Sequence, residues 1–241
     1  MLRLRFAQYP QVAAEIAAES NDIAAQLRIQ GRRFRRLFPG AAGAPRAVIV
    51  LAPNFDSKSG ELPDGTPVLA LAVDTLALEK ADLPILLPHE LFHLYDAEHA
   101  GVKNDGVMPE TMLTLPLFAE GLATYVSSVV SAGHSDGQYL LQSDLGALTP
   151  SRLRPAARDF LRVASTLTID PRAHRISPLY ARWFEGGRGP LNPGYPNRAG
   201  YWLGLNLIRE LSRTYSLQQL ASWSPTEAER RTRTALVAMA Q

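Results

Sequence analysis

The sequence predicts an α+β protein in which a small β-sheet near the N-terminus is followed mainly by helices. Two short aliphatic runs, AVIVL at 47–51 and PVLALAV at 67–73, are bounded by turn residues and are typical of strands that share one sheet. Beyond residue 84 the apolar positions mostly take helical spacing. The 241 residues contain no internal repeat and no obvious linker, which favours a single domain.

The N-terminal half is predicted element by element from its spacing and its turn residues. Residues 11–37 have apolar positions at helical spacing and predict one long helix or two short ones. The polar stretch 56–65 predicts a loop or a hairpin connection between the strands. A helix is expected from Pro84 onward and a second one through Phe118 to about Ser131.

The C-terminal part is predicted to be helical, with one long loop. Helices are expected after Thr149-Pro150, over 200–215 and after Ser224, where Ser-Pro-Thr-Glu has the form of a capping box. Residues 170–199 are rich in Pro, Gly and Arg and predict a loop. We therefore expect three segments within one domain, 1–241: an N-terminal helical segment 1–45, a part with the sheet and two helices over 46–135, and a helical subdomain over 136–241.

Composition excludes several classes of protein. A hydrophobic share of 46% with 20% charged residues is ordinary for a globular chain, and no apolar run approaches the roughly 20 residues of a membrane span. The absence of cysteine excludes disulfides, thiolate metal sites and cysteine nucleophiles. A formal net charge of +2 does not imply nucleic acid as a partner. The N-terminus lacks the apolar stretch of a signal peptide, which indicates a cytoplasmic chain, or a periplasmic or secreted one if a leader was removed.

The sequence His89-Glu90-Leu91-Phe92-His93 is the strongest functional signal. Two histidines four residues apart on a helix project from one face, so both imidazoles can reach one cation. Glu90 lies about 100° further round the helix, where its carboxylate can act as a general base on a water rather than as a ligand. This pattern predicts a zinc-dependent hydrolase, with a peptide or protein as its substrate.

A catalytic zinc ion requires a third protein ligand, and the sequence offers two. Glu120, in FAEGLATY, is separated from His93 by 26 residues, which suits a second helix packed on the first. His99 completes the spacing HExxHxxGxxH except that Asp96 stands at the glycine position. Asp tolerates the left-handed backbone that this glycine supplies better than most residues do, so the second ligand set stays open.

HELFH followed by FAEGLATY resembles the gluzincins, and in particular the bacterial predicted zinc-dependent proteases of the peptidase MA clan. The resemblance extends loosely over residues 47–220, because the paired strands and the segment GYWLG at 200–204 are similar in type and order. It implies a zincin-like fold, zinc ligation by His89, His93 and Glu120, and Glu90 as the base. The spacing between the two motifs is longer than in the thermolysin-like members.

Further residues are predicted around such a centre. The oxyanion of peptide hydrolysis needs a hydrogen-bond donor, for which Tyr201, Tyr125 and His174 are candidates. Tyr201 is preferred, because it lies in the segment that resembles the family. Asp96 could accept a hydrogen bond from the second nitrogen of a metal-binding histidine.

Two other hypotheses follow from the sequence. The basic run Arg32–Arg36 with its neighbouring phenylalanines could bind nucleic acid or an anionic membrane surface. A metal-binding interaction protein without catalytic activity is the other alternative. We expect no nucleic-acid partner and no transmembrane segment, and the sequence predicts no oligomeric state.

Overall fold

The computed structural model describes residues 7–41, 46–52, 55–103, 112–170, 172–173, 175–186, 189 and 191–241. Within these residues the protein is α+β and mostly helical, with a three-stranded sheet near the N-terminus. The predicted α+β class is therefore confirmed. The chain divides into two compact units, which are described in turn, and the predicted single domain with segments 1–45, 46–135 and 136–241 stays a prediction.

The first unit, Met1–His99 with Val129–Ala132, contains the sheet. Its elements are a 3-10 helix Tyr9–Gln11, helix α1 Ala13–Leu37, strands β1 Ala47–Val50, β2 Ser57–Glu61 and β3 Pro67–Ala72, helix α2 Val73–Glu79, and most of helix α3 Leu83–Lys103. The region 11–37 thus forms one helix in this structure, apart from its first turn.

The second unit, Ala100–Ser128 with Gly133–Gln241, is helical apart from a short hairpin. Its elements are most of helix α4 Thr114–Val130, helices α5 Asp136–Tyr139 and α6 Ser143–Gly146, a 3-10 helix Pro150–Arg152, helix α7 Leu153–Leu161, strands β4 Ile169–Asp170 and β5 Arg175–Ile176, and helices α8 Pro178–Phe184, α9 Ala199–Leu211, α10 Leu217–Ala221 and α11 Pro225–Met239.

The sheet of the first unit has the order β1-β3-β2. β1 runs parallel to β3, with Ala47 opposite Leu69, and β2 runs antiparallel to β3, with Ser57 opposite Leu71. Both leucines are fully buried, so β3 is the central strand and forms part of the core. β2 lies within the stretch 56–65, which the sequence predicted as a loop or a hairpin connection. The strand was not predicted, because its polar residues lack the alternation of apolar and polar residues that is typical of a strand.

Aromatic packing sets the orientation of α3 in the first unit. Phe38, at the end of α1, is 2% exposed, and its ring lies 5.8 Å from that of Phe92 and 4.8 Å from that of Tyr95 on α3. Phe34 packs against Phe38 at 4.8 Å. Phe92 stands about 100° round the helix from the neighbouring His93, so burying the aromatic face turns the histidine face elsewhere.

Helix α8 corrects the prediction of a continuous loop over 170–199. The Ser177 hydroxyl accepts a hydrogen bond from the Leu179 N–H, and Pro178 occupies the first helical position, where its missing N–H costs nothing. Trp183 and Phe184 are buried, at 2% and 4% exposure. Burial of two large aromatic side chains stabilises a helix too short to be stable alone.

Helices α4 and α9 of the second unit meet at two glycines. A Cβ atom on Gly121 would lie 2.4 Å from the backbone carbon of Gly204, and one on Gly204 would lie 2.5 Å from the carbonyl oxygen of Leu117. Backbone, rather than flexible side chains, fills both positions, so neither residue can carry a side chain without separating the helices.

No helix in the described ranges is long and apolar enough to span a membrane.

We predict that Gly204→Ala destabilises the protein. The added methyl group must displace the backbone of α4, and overpacking of this kind costs about 2 kcal/mol, which lowers the midpoint of thermal unfolding by about 4–8 °C. Gly186→Ala is the control, because a Cβ atom there meets nothing within 4 Å. Equal midpoints for the two variants would contradict the close approach of α4 and α9.

Candidate metal centre

The two histidines of α3 lie side by side. Their ring centroids are 4.7 Å apart, and Nε2 of His89 lies 3.0 Å from Nε2 of His93. His89 is 8% exposed, and His93 is half-buried. Two imidazole nitrogens that converge in this way can share a proton or direct both lone pairs at one cation.

A serine compensates for the proline that precedes this pair. Pro88 lies inside α3 and has no N–H to donate to the carbonyl of Pro84, one turn earlier. The Ser131 hydroxyl donates to that carbonyl instead, at 2.5 Å. The helix can therefore continue through Pro88 and present His89 directly after it.

Glu120 of α4 completes a group that could hold a metal ion. One ligand atom from each of His89, His93 and Glu120 lies within 4.8 Å of the others. Ligands about 2.0–2.2 Å from a common zinc ion lie roughly 3–4 Å from one another. Two imidazoles and a carboxylate are a ligand set that suits a divalent transition metal.

His99 is not in this group, and its ring contacts Tyr95, one turn earlier on its own helix. Its Nδ1 lies 2.8 Å from the Tyr95 carbonyl oxygen, and its ring lies 4.0 Å from the Tyr95 ring. Of the two third ligands that the sequence offered, the structure brings Glu120 to the histidines.

Glu90 is buried beside the histidines, at 8% exposure. The Ser57 hydroxyl of β2 donates a hydrogen bond to Oε1 of Glu90 at 2.9 Å. Sequence reasoning missed Ser57, because it lies in a polar stretch with no motif and with no visible relation to residue 90.

Tyr201, in the first turn of α9, lies in a charged environment within the second unit. Burial, and then the Glu120 carboxylate, raise the pKa of the Tyr201 hydroxyl well above its ordinary value, and Arg198 acts in the opposite direction. The Arg198 guanidinium lies 4.3 Å from the centre of the Tyr201 ring. At neutral pH Tyr201 therefore keeps its proton and can donate a hydrogen bond.

Tyr180 and Arg198 were missed by sequence reasoning. Burial, and then the charge of Glu120, raise the pKa of Tyr180 to about 12. Arg198 has a left-handed backbone, with φ at 62°, directly before α9. Neither belongs to a motif, and both lie in the segment that was predicted as a loop.

The remaining predicted residues are less closely tied to the metal-binding group. Arg209 donates two hydrogen bonds to the Asp136 carboxylate, at 2.6 and 2.7 Å, and this contact is the main cause of its raised pKa. Tyr125 adds a smaller contribution in the same direction. Asp96 contributes, after burial, to a raised pKa of Tyr95, and its role toward a histidine stays a prediction. His174 lies outside the described residues.

The basic run on α1 offers charge but no exposed aromatic ring. Arg32, Arg33 and Arg36 are exposed, whereas Phe34 and Phe38 are buried in the core. Nucleic-acid binding by base stacking needs exposed aromatic rings, and membrane insertion needs an exposed apolar face. The run could therefore bind an anionic surface only through charge.

A scan of the chain against protein-family models and searches of curated proteins and of solved structures found no match.

We predict that removing any of the three ligands weakens metal binding. His93→Ala and Glu120→Ala each delete one of three donors and should lower zinc affinity by about 100-fold or more. Titration of the metal-free proteins with zinc, followed by elemental analysis, measures this. His99→Ala should bind zinc as the wild type does, and loss of zinc from this variant with retention in Glu120→Ala would reverse the assignment.

Proposed function

We propose that this protein is a zinc-dependent peptidase of the gluzincin type, with a zincin-like fold. The observation that carries the proposal is the group of His89, His93 and Glu120, with Glu90 directly after the first histidine. Zinc is the metal that two imidazoles and one carboxylate hold in many hydrolases. The order of elements supports the proposal: the sheet comes first, then the helix with both histidines, and then the helix with Glu120, as the resemblance to the gluzincins implies.

The chain supplies the acid–base chemistry. Bound zinc would supply Lewis acidity, which polarises a carbonyl group and makes a water molecule more acidic. Glu90 accepts a proton as the water oxygen adds to the peptide carbonyl carbon, and it returns that proton to the amide nitrogen as the C–N bond breaks. The second proton of the water stays on the new carboxyl group, which loses it to the amine at neutral pH. The products are therefore a carboxylate and a protonated amine, and Glu90 ends in its starting state.

Tyr201 is the proposed hydrogen-bond donor to the oxyanion. Its raised pKa keeps the hydroxyl protonated across the neutral range, which a donor requires. The Arg198 guanidinium packs on its ring and restricts its movement.

Strand β2 favours an extended peptide as the substrate. β2 is an edge strand, and its residue Ser57 contacts Glu90. Backbone groups at the outer edge of a strand can pair with an extended peptide, which holds the peptide through main-chain hydrogen bonds largely independent of its sequence. Such a peptide would lie beside the proposed base.

We predict that Glu90→Gln abolishes peptide cleavage but leaves zinc bound. Gln has the same shape as Glu but cannot accept the proton, so the rate on a mixed peptide library should fall by about 100-fold or more. Zinc content, measured in the same preparations, should match that of the wild type. Equally low cleavage by both zinc-loaded proteins would refute the enzyme and favour a metal-binding protein without activity.

We also predict that Tyr201→Phe lowers kcat by about 100-fold with little change in KM, because its hydrogen bond strengthens only as the oxyanion forms. Tyr125→Phe is the matched control and should stay within about threefold of the wild type. The reverse pattern in the two variants would assign the donor to Tyr125.

A further inference from the structure

We propose that Ser57 is a positioning residue for the general base, Glu90. Because Ser57 lies on β2, it would also connect this base to the strand along which the peptide is proposed to bind. This inference rests on the proposed function. Ser57 has two roles in it: its strand borders the proposed peptide, and its side chain orients the carboxylate of Glu90.

The contact itself is direct and local. The Ser57 Oγ atom lies 2.9 Å from Oε1 of Glu90, and the carboxylate is almost fully buried. A buried carboxylate needs hydrogen-bond donors, and within the described part of the chain Ser57 is the one donor to Glu90. Loss of this hydroxyl would leave the carboxylate free to rotate about its side-chain bonds.

Ser57 is held firmly enough to serve this role. Its N–H donates to Oδ1 of Asp56 at 2.6 Å, and the Asp56 carbonyl accepts from the N–H of Ala72 at 2.8 Å. Ser57 also lies opposite the fully buried Leu71 of β3. A functional side chain on a paired strand is positioned more accurately than one on a loop.

The two carboxylate oxygens of Glu90 have different roles in this proposal. Oε1 directs one lone pair at the Ser57 hydroxyl, which favours Oε2 as the atom that takes a proton from water. Proton transfer requires the base within hydrogen-bond reach, and a displacement of about 1 Å can cost roughly 100-fold in rate. Ser57 therefore acts on kcat through Glu90, rather than on peptide affinity.

The test compares zinc-loaded wild type with Ser57→Ala, Ser57→Thr and Ser20→Ala on one cleavable peptide. Ser57→Ala should lower kcat by about 10–100-fold with KM within about twofold, and Ser57→Thr, which keeps the hydroxyl, should restore most of the rate. Ser20, a half-buried serine of α1, controls for loss of a hydroxyl elsewhere. In the Glu90→Gln background, Ser57→Ala should cause no further loss, because a residue that acts only through Glu90 has nothing left to position.

A second measurement does not depend on activity. In metal-free protein, Ser57→Ala should shift the midpoint of unfolding less in a Glu90→Ala background than in the wild type, since the partner of the hydroxyl is gone. Equal shifts of the unfolding midpoint in the two backgrounds, or a wild-type kcat in Ser57→Ala, would overturn the inference about Ser57. The proposed function would still hold in that case, provided that the wild type is active. A wild type that cleaves no faster than Glu90→Gln overturns the proposed function and this inference together.

Discussion

The convergence of two imidazoles on one face of α3 is the constraint on which the rest of the site depends. Nitrogen atoms 3.0 Å apart in a largely buried setting are costly unless they share a proton or a cation. The surrounding structure preserves this arrangement from two directions. Phe92 and Tyr95 hold an adjacent face of the helix against the end of α1. Ser131 donates to the carbonyl that Pro88 leaves without a donor.

The acidic groups of the site have different surroundings, which suits different roles. Glu90 receives a hydrogen bond from a neutral hydroxyl, which orients the carboxylate without neutralising it. Glu120 lies near two tyrosines whose pKa values rise, first through burial and then through its charge. These surroundings are compatible with the proposed roles, in which Glu120 is a metal ligand beside two protonated tyrosines and Glu90 is the base.

The sequence predicts those parts of this protein that depend on local pattern. Aliphatic runs between turn residues located β1 and β3, and the spacing of HELFH placed both histidines on one face of a helix. Ser57, Tyr180 and Arg198 could not be predicted, because their positions depend on tertiary packing. β2 gains its structure from pairing with β3, and α8 gains much of its stability from the burial of Trp183 and Phe184; neither signal appears in a short stretch of sequence.

The course of α3 provides a physical reason to prefer Glu120 over His99 as the third ligand. A ligand set with His99 requires the chain to turn sharply at Asp96, but α3 continues as one helix to Lys103. Along a continuous helix, His99 stands about 9 Å beyond His93 and about 240° further round, so its imidazole points away from the pair. Its Nδ1 atom lies 2.8 Å from the carbonyl oxygen of Tyr95, one turn earlier on the same helix, rather than beside the two histidines. The helix does not break at Asp96, where the alternative ligand set needs a turn, so the group that could hold a metal ion takes its third member, Glu120, from another helix.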